Sequence, residues 1–125
     1  GRMLLIREST KYEGGTQKGK YDFPGGKIAQ GELPEKALRR EAQEEVGMDI
    51  EILQPFHVDT WTPTVRGERI QIVGIFFLCR TLTGQVVLSK DHDHAAWVTA
   101  AEAKKLPLIQ ETSNAIDALE RLGLI

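Results

Sequence analysis

The chain has 125 residues, with 16 lysines and arginines, 18 acidic side chains and a formal net charge of −2. A chain of this length suits one globular domain, and we expect a single domain over residues 1–125. The near-neutral balance lacks the surplus of basic residues on which sequence-independent binding to nucleic acids depends. No run approaches the roughly 20 apolar residues of a membrane span. We therefore expect a soluble, cytoplasmic protein that binds neither nucleic acids nor membranes.

Apolar runs and turn-forming residues define the elements of the first third of the chain. MLLIRE (3–8) predicts a buried strand, and the segment 9–20, rich in Gly, Lys and Thr, predicts a polar loop. Pro34 suits the first turn of a helix and Gly47 suits its end. The sequence therefore predicts a helix over 34–46.

Alternating and β-branched apolar residues predict the strands in the middle of the chain. Two longer strands, over 49–61 and 69–80, flank a turn, and two shorter ones follow over 85–89 and 95–98. We expect Trp97, in the last of these strands, to pack in the core.

The final part of the sequence predicts helices. Thr99 and Glu102 form a capping box for a helix over 99–106, which Pro107 ends. A stripe of side chains at helical spacing then predicts a last helix, closed by Gly123. The members of this stripe are Ile109, Thr112, Ile116, Leu119 and Leu122.

The single cysteine, Cys79, lies in the apolar run IQIVGIFFLC. A lone cysteine excludes an internal disulfide, and its apolar surroundings predict a buried, inert thiol. A catalytic role is disfavoured because no histidine stands in a nucleophile context.

Three glutamates, Glu41, Glu44 and Glu45, crowd one face of the predicted helix, within an arc of about 100°. Like charges at this spacing repel by a few tenths of a kcal/mol, so the arrangement is locally unfavourable. One interpretation is a solvated acidic face, offset by nearby cations. The other is a site for a divalent cation, because Mg²⁺ and Mn²⁺ prefer hard oxygen ligands.

The frame around these glutamates resembles the Nudix box of the Nudix hydrolases. Its fixed positions are matched by Gly26, Glu32, Arg40, Glu41, Glu44, Glu45 and Gly47, followed by the apolar Met48. Seven such matches arise by chance with odds of about one in a million or less. The departures are mild: Ala42 replaces a larger aliphatic residue, and Leu33 replaces the common capping serine.

The resemblance spans about residues 3–106. LLIRE and YDFPGGK resemble the opening of the family, and DHDHAAWVTAAEA resembles its later segment, in which an acidic residue, here Asp91, precedes a tryptophan. It implies an α/β protein with the Nudix fold, in which a mixed β-sheet is sandwiched between α-helices. It also implies a first strand ahead of residue 1.

The resemblance further implies an activity. Nudix hydrolases cleave a nucleoside diphosphate linked to another group, as in a nucleoside triphosphate or ADP-ribose, by attack of water on phosphorus. The implied cofactor is Mg²⁺ or Mn²⁺, which neutralises the pyrophosphate and lowers the pKa of bound water. Carried over by position, the metal ligands are the backbone oxygen of Gly25 and the carboxylates of Glu41, Glu44, Glu45 and Asp91.

Catalytic roles are also implied for three residues of the box. Glu41 is the preferred general base, Glu44 is a second catalytic carboxylate, and Arg40 orients the acidic side chains. Family members differ in which residue acts as base, so that choice stays open. The histidines of DHDH have no spacing specific to zinc.

The substrate contacts should lie outside the carboxylate cluster. Trp61 suits stacking on a base, and Arg66 and Lys27 suit contact with phosphate. The structural alternatives are packing at a strand end for Trp61 and a solvated position for Lys27. Pro63 resembles a proline of ADP-ribose pyrophosphatases, whereas the short chain resembles the compact nucleoside triphosphate hydrolases, so the nucleotide stays open.

A competing interpretation is a non-catalytic Nudix domain that senses a nucleotide or binds a partner protein. Such domains usually lose carboxylates of the box, whereas this chain has all of them. We expect a small nucleotide as the substrate, and the sequence leaves a monomer and a homodimer open.

Overall fold

The computed structural model describes residues 1–82 and 84–125. The described strands are β1 (Met3–Glu8), β2 (Tyr21–Asp22), β3 (Ile50–Trp61), β4 (Thr64–Val65), β5 (Glu68–Arg69), β6 (Ile72–Thr81) and β7 (His92–Val98). The described helices are α1 (Pro34–Val46), α2 (Ala100–Ala103) and α3 (Gln110–Arg121). Within these two ranges, every helix is too short or too polar to cross a membrane.

The strand β1 is the central strand of the first sheet. It pairs antiparallel with β7 along its length, beginning with Met3 opposite Val98, and with the short β2 on its other side. The strands β3 and β6 form a long antiparallel ribbon, and β4 and β5 form a short hairpin at its end. One isolated parallel bridge joins Tyr21 to Leu108, so the strands form a mixed arrangement.

The run MLLI is apolar throughout because β1 is buried on both faces. Leu5 lies in a cluster with Ile116 of α3, whereas Ile6 lies in a second cluster with Val46 of α1. All four side chains are almost fully buried. The sheet is therefore covered by helices on both sides, as the predicted fold requires.

The helix α1 has the predicted bounds. Pro34 stands in its first turn, and Gly47 ends it in the left-handed conformation with φ 64°, where its N–H donates to the Gln43 carbonyl. Leu33 provides no side-chain cap, as its apolar side chain predicts. The buried residues of α1 are Ala37, Ala42 and Val46, and the side chains of Glu41 and Glu45 lie beside them, at only 16% and 18% exposed.

The prediction of a strand over 85–89 is wrong. The N–H of Val87 donates to the Val46 carbonyl at 2.9 Å, and the N–H of Ser89 donates to the Glu45 carbonyl at 3.0 Å. The last carbonyls of a helix have no partner within it. The segment satisfies these carbonyls of α1 instead of pairing with another strand.

Other boundaries also differ from the predicted ones. The predicted strand over 69–80 divides into β5 and β6, and between them the N–H of Ile70 donates to the Pro63 carbonyl at 2.9 Å. The strand β7 begins at His92, earlier than predicted. The capping box of Thr99 and Glu102 is confirmed, but its helix is a single short turn. A strand ahead of residue 1 stays a prediction.

Two apolar side chains predicted to be buried are exposed instead. Trp97 is 40% exposed because it lies on β7, an outer strand of its sheet. Leu122 is 52% exposed because it lies just beyond the end of α3. The buried part of the predicted stripe on α3 consists of Thr112, Ile116 and Leu119.

Cys79 is partly buried rather than fully buried. Burial raises the pKa of its thiol to about 11, against a weaker lowering by Arg39. The thiol is therefore protonated at neutral pH, which agrees with the predicted inert role.

Candidate active site

The Arg40 guanidinium anchors the loop before α1 to the helix. Its Nε and Nη2 donate to the two carboxylate oxygens of Glu32, both at 2.9 Å, and Nη2 also donates to the Lys27 carbonyl at 3.0 Å. Glu32 accepts a further hydrogen bond from the N–H of Ala29. These hydrogen bonds, with that from Arg40 first, lower the pKa of Glu32 to about 2. The pair therefore stays ionised far below neutral pH.

The same guanidinium reaches two of the glutamates on α1. Its Nη1 donates to Oε1 of Glu41 at 3.0 Å and lies 3.3 Å from Oε2 of Glu44. The hydrogen bonds that Arg40 donates to Glu32, Glu41 and Glu44 together raise the pKa of Arg40. One cation thus contacts the three carboxylates of Glu32, Glu41 and Glu44, and the predicted role of Arg40 in orienting acidic side chains stays a prediction.

The Glu41 carboxylate lies directly on the backbone of Gly26. A Cβ added at Gly26 would stand 2.5 Å from Oε1 and 2.6 Å from Oε2 of Glu41, closer than atoms can approach. The Glu41 side chain is only 16% exposed. A side chain at position 26 would therefore displace the Glu41 carboxylate, which fills that space.

Glu45 is held by the turn that precedes the box. The N–H of Gly25 donates to Oε1 of Glu45 at 2.7 Å. Burial raises the pKa of Glu45 to about 8, and the nearby carboxylates of Glu41, Asp22 and Asp91 add to this rise. Gly25 and Glu45 are thus brought together, through the N–H of Gly25 rather than through the backbone oxygen that was predicted as a metal ligand.

The loop that carries Asp91 approaches Glu45 from the other side. Ser89 donates its N–H to the Glu45 carbonyl, and the Asp91 carbonyl accepts from the N–H of Ser9 at 2.9 Å. Nε2 of His92 lies 3.6 Å from Oε2 of Glu45. The sequence did not reveal the contact of His92, because it joins residues that are far apart in the chain.

Comparison with known proteins decides the family. The family model of the NUDIX domain matches residues 1–119. The chain belongs to the Nudix family. Both the predicted family and the predicted fold are confirmed.

Nudix relatives match most of the chain. A MutT-like protein of Streptomyces ambofaciens is 28% identical over 123 residues, which cover 98% of this chain and 71% of that protein. The nucleoside triphosphatase NudI of Klebsiella pneumoniae (strain 342) is 31% identical over 118 residues, covering 86% and 80%. The crystal structure of the MutT protein from Methanosarcina mazei Go1 has a TM-score of 0.85 at 24% identity, covering 98% and 86%.

Membership of the Nudix family establishes the class of chemistry. The chain is a hydrolase that acts on phosphoric anhydrides, and its pyrophosphohydrolase activity was predicted from the box alone. Nudix hydrolases generally use a divalent metal ion.

The acidic side chains fit such an ion by their chemistry. In the described ranges, no three acidic, histidine or cysteine side chains converge tightly enough to enclose an ion, and Arg40 lies between Glu41 and Glu44. The donors are nonetheless hard oxygens, as Mg²⁺ and Mn²⁺ prefer. Glu41 and Glu45 are also largely buried, at 16% and 18% exposed, and are held by Arg40 and Gly25.

The predicted base-stacking residue of this Nudix domain, Trp61, lies on the inner face of β3. Its indole packs against Gly74 of β6, where an added Cβ would stand 2.8 Å from two of its ring carbons. On the same face, Asp59 accepts a hydrogen bond from the amide of Asn114 on α3 at 2.9 Å. Trp61 is therefore half-buried and packed at the strand end, and its stacking on a base stays a prediction.

The two cations predicted to bind phosphate lie on the surface of the Nudix domain. Arg66 occupies the hairpin turn between β4 and β5 with a positive φ of 52°, next to Gly67. Lys27 is exposed, and its carbonyl accepts from Arg40. Neither side chain is brought to the carboxylate cluster by a contact that the described residues show.

A buried pair next to the site was missed by the sequence analysis. Thr112, predicted as part of the apolar stripe on α3, donates its hydroxyl to Oδ1 of Asp22 at 2.5 Å. Burial raises the pKa of Asp22, although the hydrogen bonds from Thr112 and from the Phe23 N–H lower it. The pair ties α3 to the turn that carries Gly25. Its only sequence signal was a polar residue among apolar neighbours.

Proposed function

We propose that this protein uses Mg²⁺ or Mn²⁺ to hydrolyse a pyrophosphate linkage of nucleoside triphosphates. The observation that carries the proposal is the ordered carboxylate cluster, in which Arg40 holds Glu41 and Glu44 while Gly25 holds Glu45. The similarity to a protein named nucleoside triphosphatase NudI favours this substrate class over ADP-ribose. A cytoplasmic location, where such nucleotides are abundant, is part of the proposal.

Five groups would hold the metal. They are the backbone oxygen of Gly25 and the carboxylates of Glu41, Glu44, Glu45 and Asp91. When bound, a divalent ion neutralises the pyrophosphate and lowers the pKa of water near phosphorus.

The protein's own groups then orient the reactants. Arg40 fixes one oxygen of Glu41, which leaves the second oxygen free of that contact to accept a proton from the attacking water. This carboxylate packs against the backbone of Gly26. Glu41 is therefore the preferred general base, and Glu44 the second catalytic carboxylate.

The nucleoside would lie on the face of β3 and β6 that carries Trp61. Phe23, two residues before Gly25, contacts Phe76 of this face with ring centroids 6.3 Å apart. The face therefore adjoins the turn of the metal site, so that a base on Trp61 and phosphates near Gly25 can belong to one ligand. Lys27 and Arg66 are the proposed contacts for the outer phosphates.

A hydrolysis panel tests the proposal. The protein is incubated with Mg²⁺ and with nucleoside triphosphates, oxidised deoxynucleoside triphosphates, ADP-ribose and dinucleoside polyphosphates, and released phosphate and pyrophosphate are measured. Glu44→Gln and Glu45→Gln should each lower turnover by about 10²-fold or more, because each removes charge from the metal site. Cleavage of ADP-ribose alone would overturn the proposed substrate class. Wild-type turnover in both variants would overturn the metal ligands.

The same panel separates the enzyme from a nucleotide sensor. The presence of every carboxylate of the box favours catalysis. Nucleotide binding without any cleavage would instead identify a non-catalytic Nudix domain. Light scattering during gel filtration distinguishes a monomer from the homodimer that the sequence leaves open.

A further inference from the structure

The carboxylate of Glu45 has a different neighbour at each oxygen. Oε1 accepts from the N–H of Gly25 at 2.7 Å, and Oε2 faces Nε2 of His92 at 3.6 Å. The side chains of Glu45 and His92 are only 18% and 13% exposed. Water therefore has little access to either group, and the imidazole makes a close polar contact with the carboxylate at a distance longer than a hydrogen bond.

Ser89 connects His92 to the end of α1. Its backbone N–H donates to the Ser89 carbonyl at 3.3 Å, and its Nδ1 lies 3.4 Å from the Ser89 hydroxyl. The N–H of Ser89 donates to the Glu45 carbonyl at 3.0 Å. Contacts thus connect the backbone of Glu45 to Ser89, Ser89 to the imidazole, and the imidazole to the carboxylate of the same glutamate.

One tautomer of the imidazole suits both of its neighbours. With the hydrogen on Nε2, that nitrogen attracts the ionised carboxylate of Glu45, and Nδ1 accepts from the Ser89 hydroxyl.

We propose that His92 is a positioning residue of the metal site. Through Nε2 it orients the carboxylate of Glu45, and through Ser89 it keeps the loop of Asp91 on the end of α1. The two parts of the site, which lie far apart in the sequence, are thereby fixed to one another. The inference rests on the metal-binding part of the proposed function and adds a residue outside the box.

Binding of Mn²⁺ to the protein without nucleotide tests this role. The free Mn²⁺ signal in electron paramagnetic resonance gives the Kd for wild type, His92→Ala and His92→Gln. We expect the Kd to rise about 10-fold in His92→Ala, as for the loss of other groups that support metal ligands. In His92→Gln, whose amide can still donate, part of the affinity should return.

His94→Ala is the matched control. His94 lies two residues further along β7, and its Nδ1 is hydrogen-bonded to the Tyr21 hydroxyl at 2.7 Å rather than to α1. Its Kd for Mn²⁺ should equal that of wild type, and circular dichroism should show all variants folded. If His92→Ala does not fold, Ser89→Ala takes its place and should raise the Kd in the same direction by a smaller factor.

The outcomes for His92 and for the enzyme proposal are separate. A Kd unchanged in His92→Ala, or raised equally in His94→Ala, would overturn the role of His92. Wild-type protein that binds no Mn²⁺ would overturn it as well. Wild-type protein that binds Mn²⁺ but cleaves no nucleotide would overturn only the proposed activity.

Discussion

The Glu41 carboxylate occupies the space that a side chain at Gly26 would need. A Cβ at position 26 would stand 2.5 Å from Oε1 of Glu41. We expect Gly26→Ala to displace this carboxylate and to lower kcat by about 10²-fold, the effect of small misplacements of catalytic groups. Steady-state kinetics on the substrate found in the panel measures it.

Gly84→Ala is the control for that substitution. An added Cβ at Gly84 meets no atom within 4 Å, and its backbone has no positive φ. Its kcat should stay at the wild-type value. Equal activity in the two variants would show that the position of Glu41 is not important for turnover.

The paired hydrogen bonds from Arg40 to Glu32 lead to a second prediction. Arg40→Lys keeps the charge but loses the two parallel hydrogen bonds to Glu32, so we expect kcat to fall about 10-fold. Glu32→Gln should lower kcat as well, and the double variant should be no worse than Arg40→Lys, because both changes break one contact. Arg39→Lys, whose arginine donates only to the Ile50 carbonyl in the described contacts, should be nearly neutral. Strictly additive losses would contradict this coupling.

The buried Glu45 predicts a pH-dependent stability. Its pKa rises from 4.5 in the unfolded chain to about 8 in the folded protein. Between these values the unfolded chain loses the proton that the folded protein keeps, so the free energy of unfolding falls as the pH rises. Glu45→Gln removes this titration while retaining an acceptor for the Gly25 N–H.

Thermal unfolding in the presence of EDTA checks the sign of that effect. The Tm of Glu45→Gln should match wild type near about pH 4 and exceed it near about pH 8. Glu44→Gln is the control, because the Glu44 side chain is 57% exposed. An advantage of Glu45→Gln that is the same at both pH values would argue against a raised pKa.

Substitution of Trp61 and substitution of Gly74 should each raise KM. Trp61→Ala removes a stacking surface worth about 1–3 kcal/mol, so KM should rise by roughly 5- to 150-fold with kcat little changed. Gly74→Ala should also raise KM, because the added Cβ would displace the indole of Trp61 from its packed position. Trp97→Ala, at an exposed tryptophan of another sheet, should leave KM unchanged. An unchanged KM in Trp61→Ala would place the base elsewhere.

The raised pKa of Cys79 predicts slow thiol–disulfide exchange. With a pKa of about 11, the thiol is ionised in only about one molecule in a thousand at pH 8. Reaction with a disulfide reagent should therefore be about 10²-fold slower in the folded protein than in guanidinium chloride. Leu82→Cys, at a position that is 63% exposed, should react rapidly in the same protein.

Local chemistry explains which elements the sequence could predict. The bounds of α1 depend on Pro34 and Gly47, whose conformational preferences are properties of single residues. The buried strand β1 was predictable because its apolar run fits burial on both faces. The carboxylate cluster was predictable because its members share one helix, whose periodicity is known.

Long-range contacts explain what the sequence could not predict. The valines of 85–89 favour a strand, yet their backbone pairs with the end of α1, which no local preference encodes. Trp97 is exposed because its strand lies at the edge of a sheet, and strand order cannot be read from a local pattern. The contact of His92 with Glu45 depends likewise on the position of the loop that carries Asp91, which is distant from α1 in the sequence.

Arg40 supplies the acidic cluster with a cation of its own. This cation offsets the repulsion between Glu41 and Glu44 within the fold itself, in contrast to small domains that are unfolded without their metal. Removal of the proposed metal ion should therefore abolish turnover and leave the protein folded.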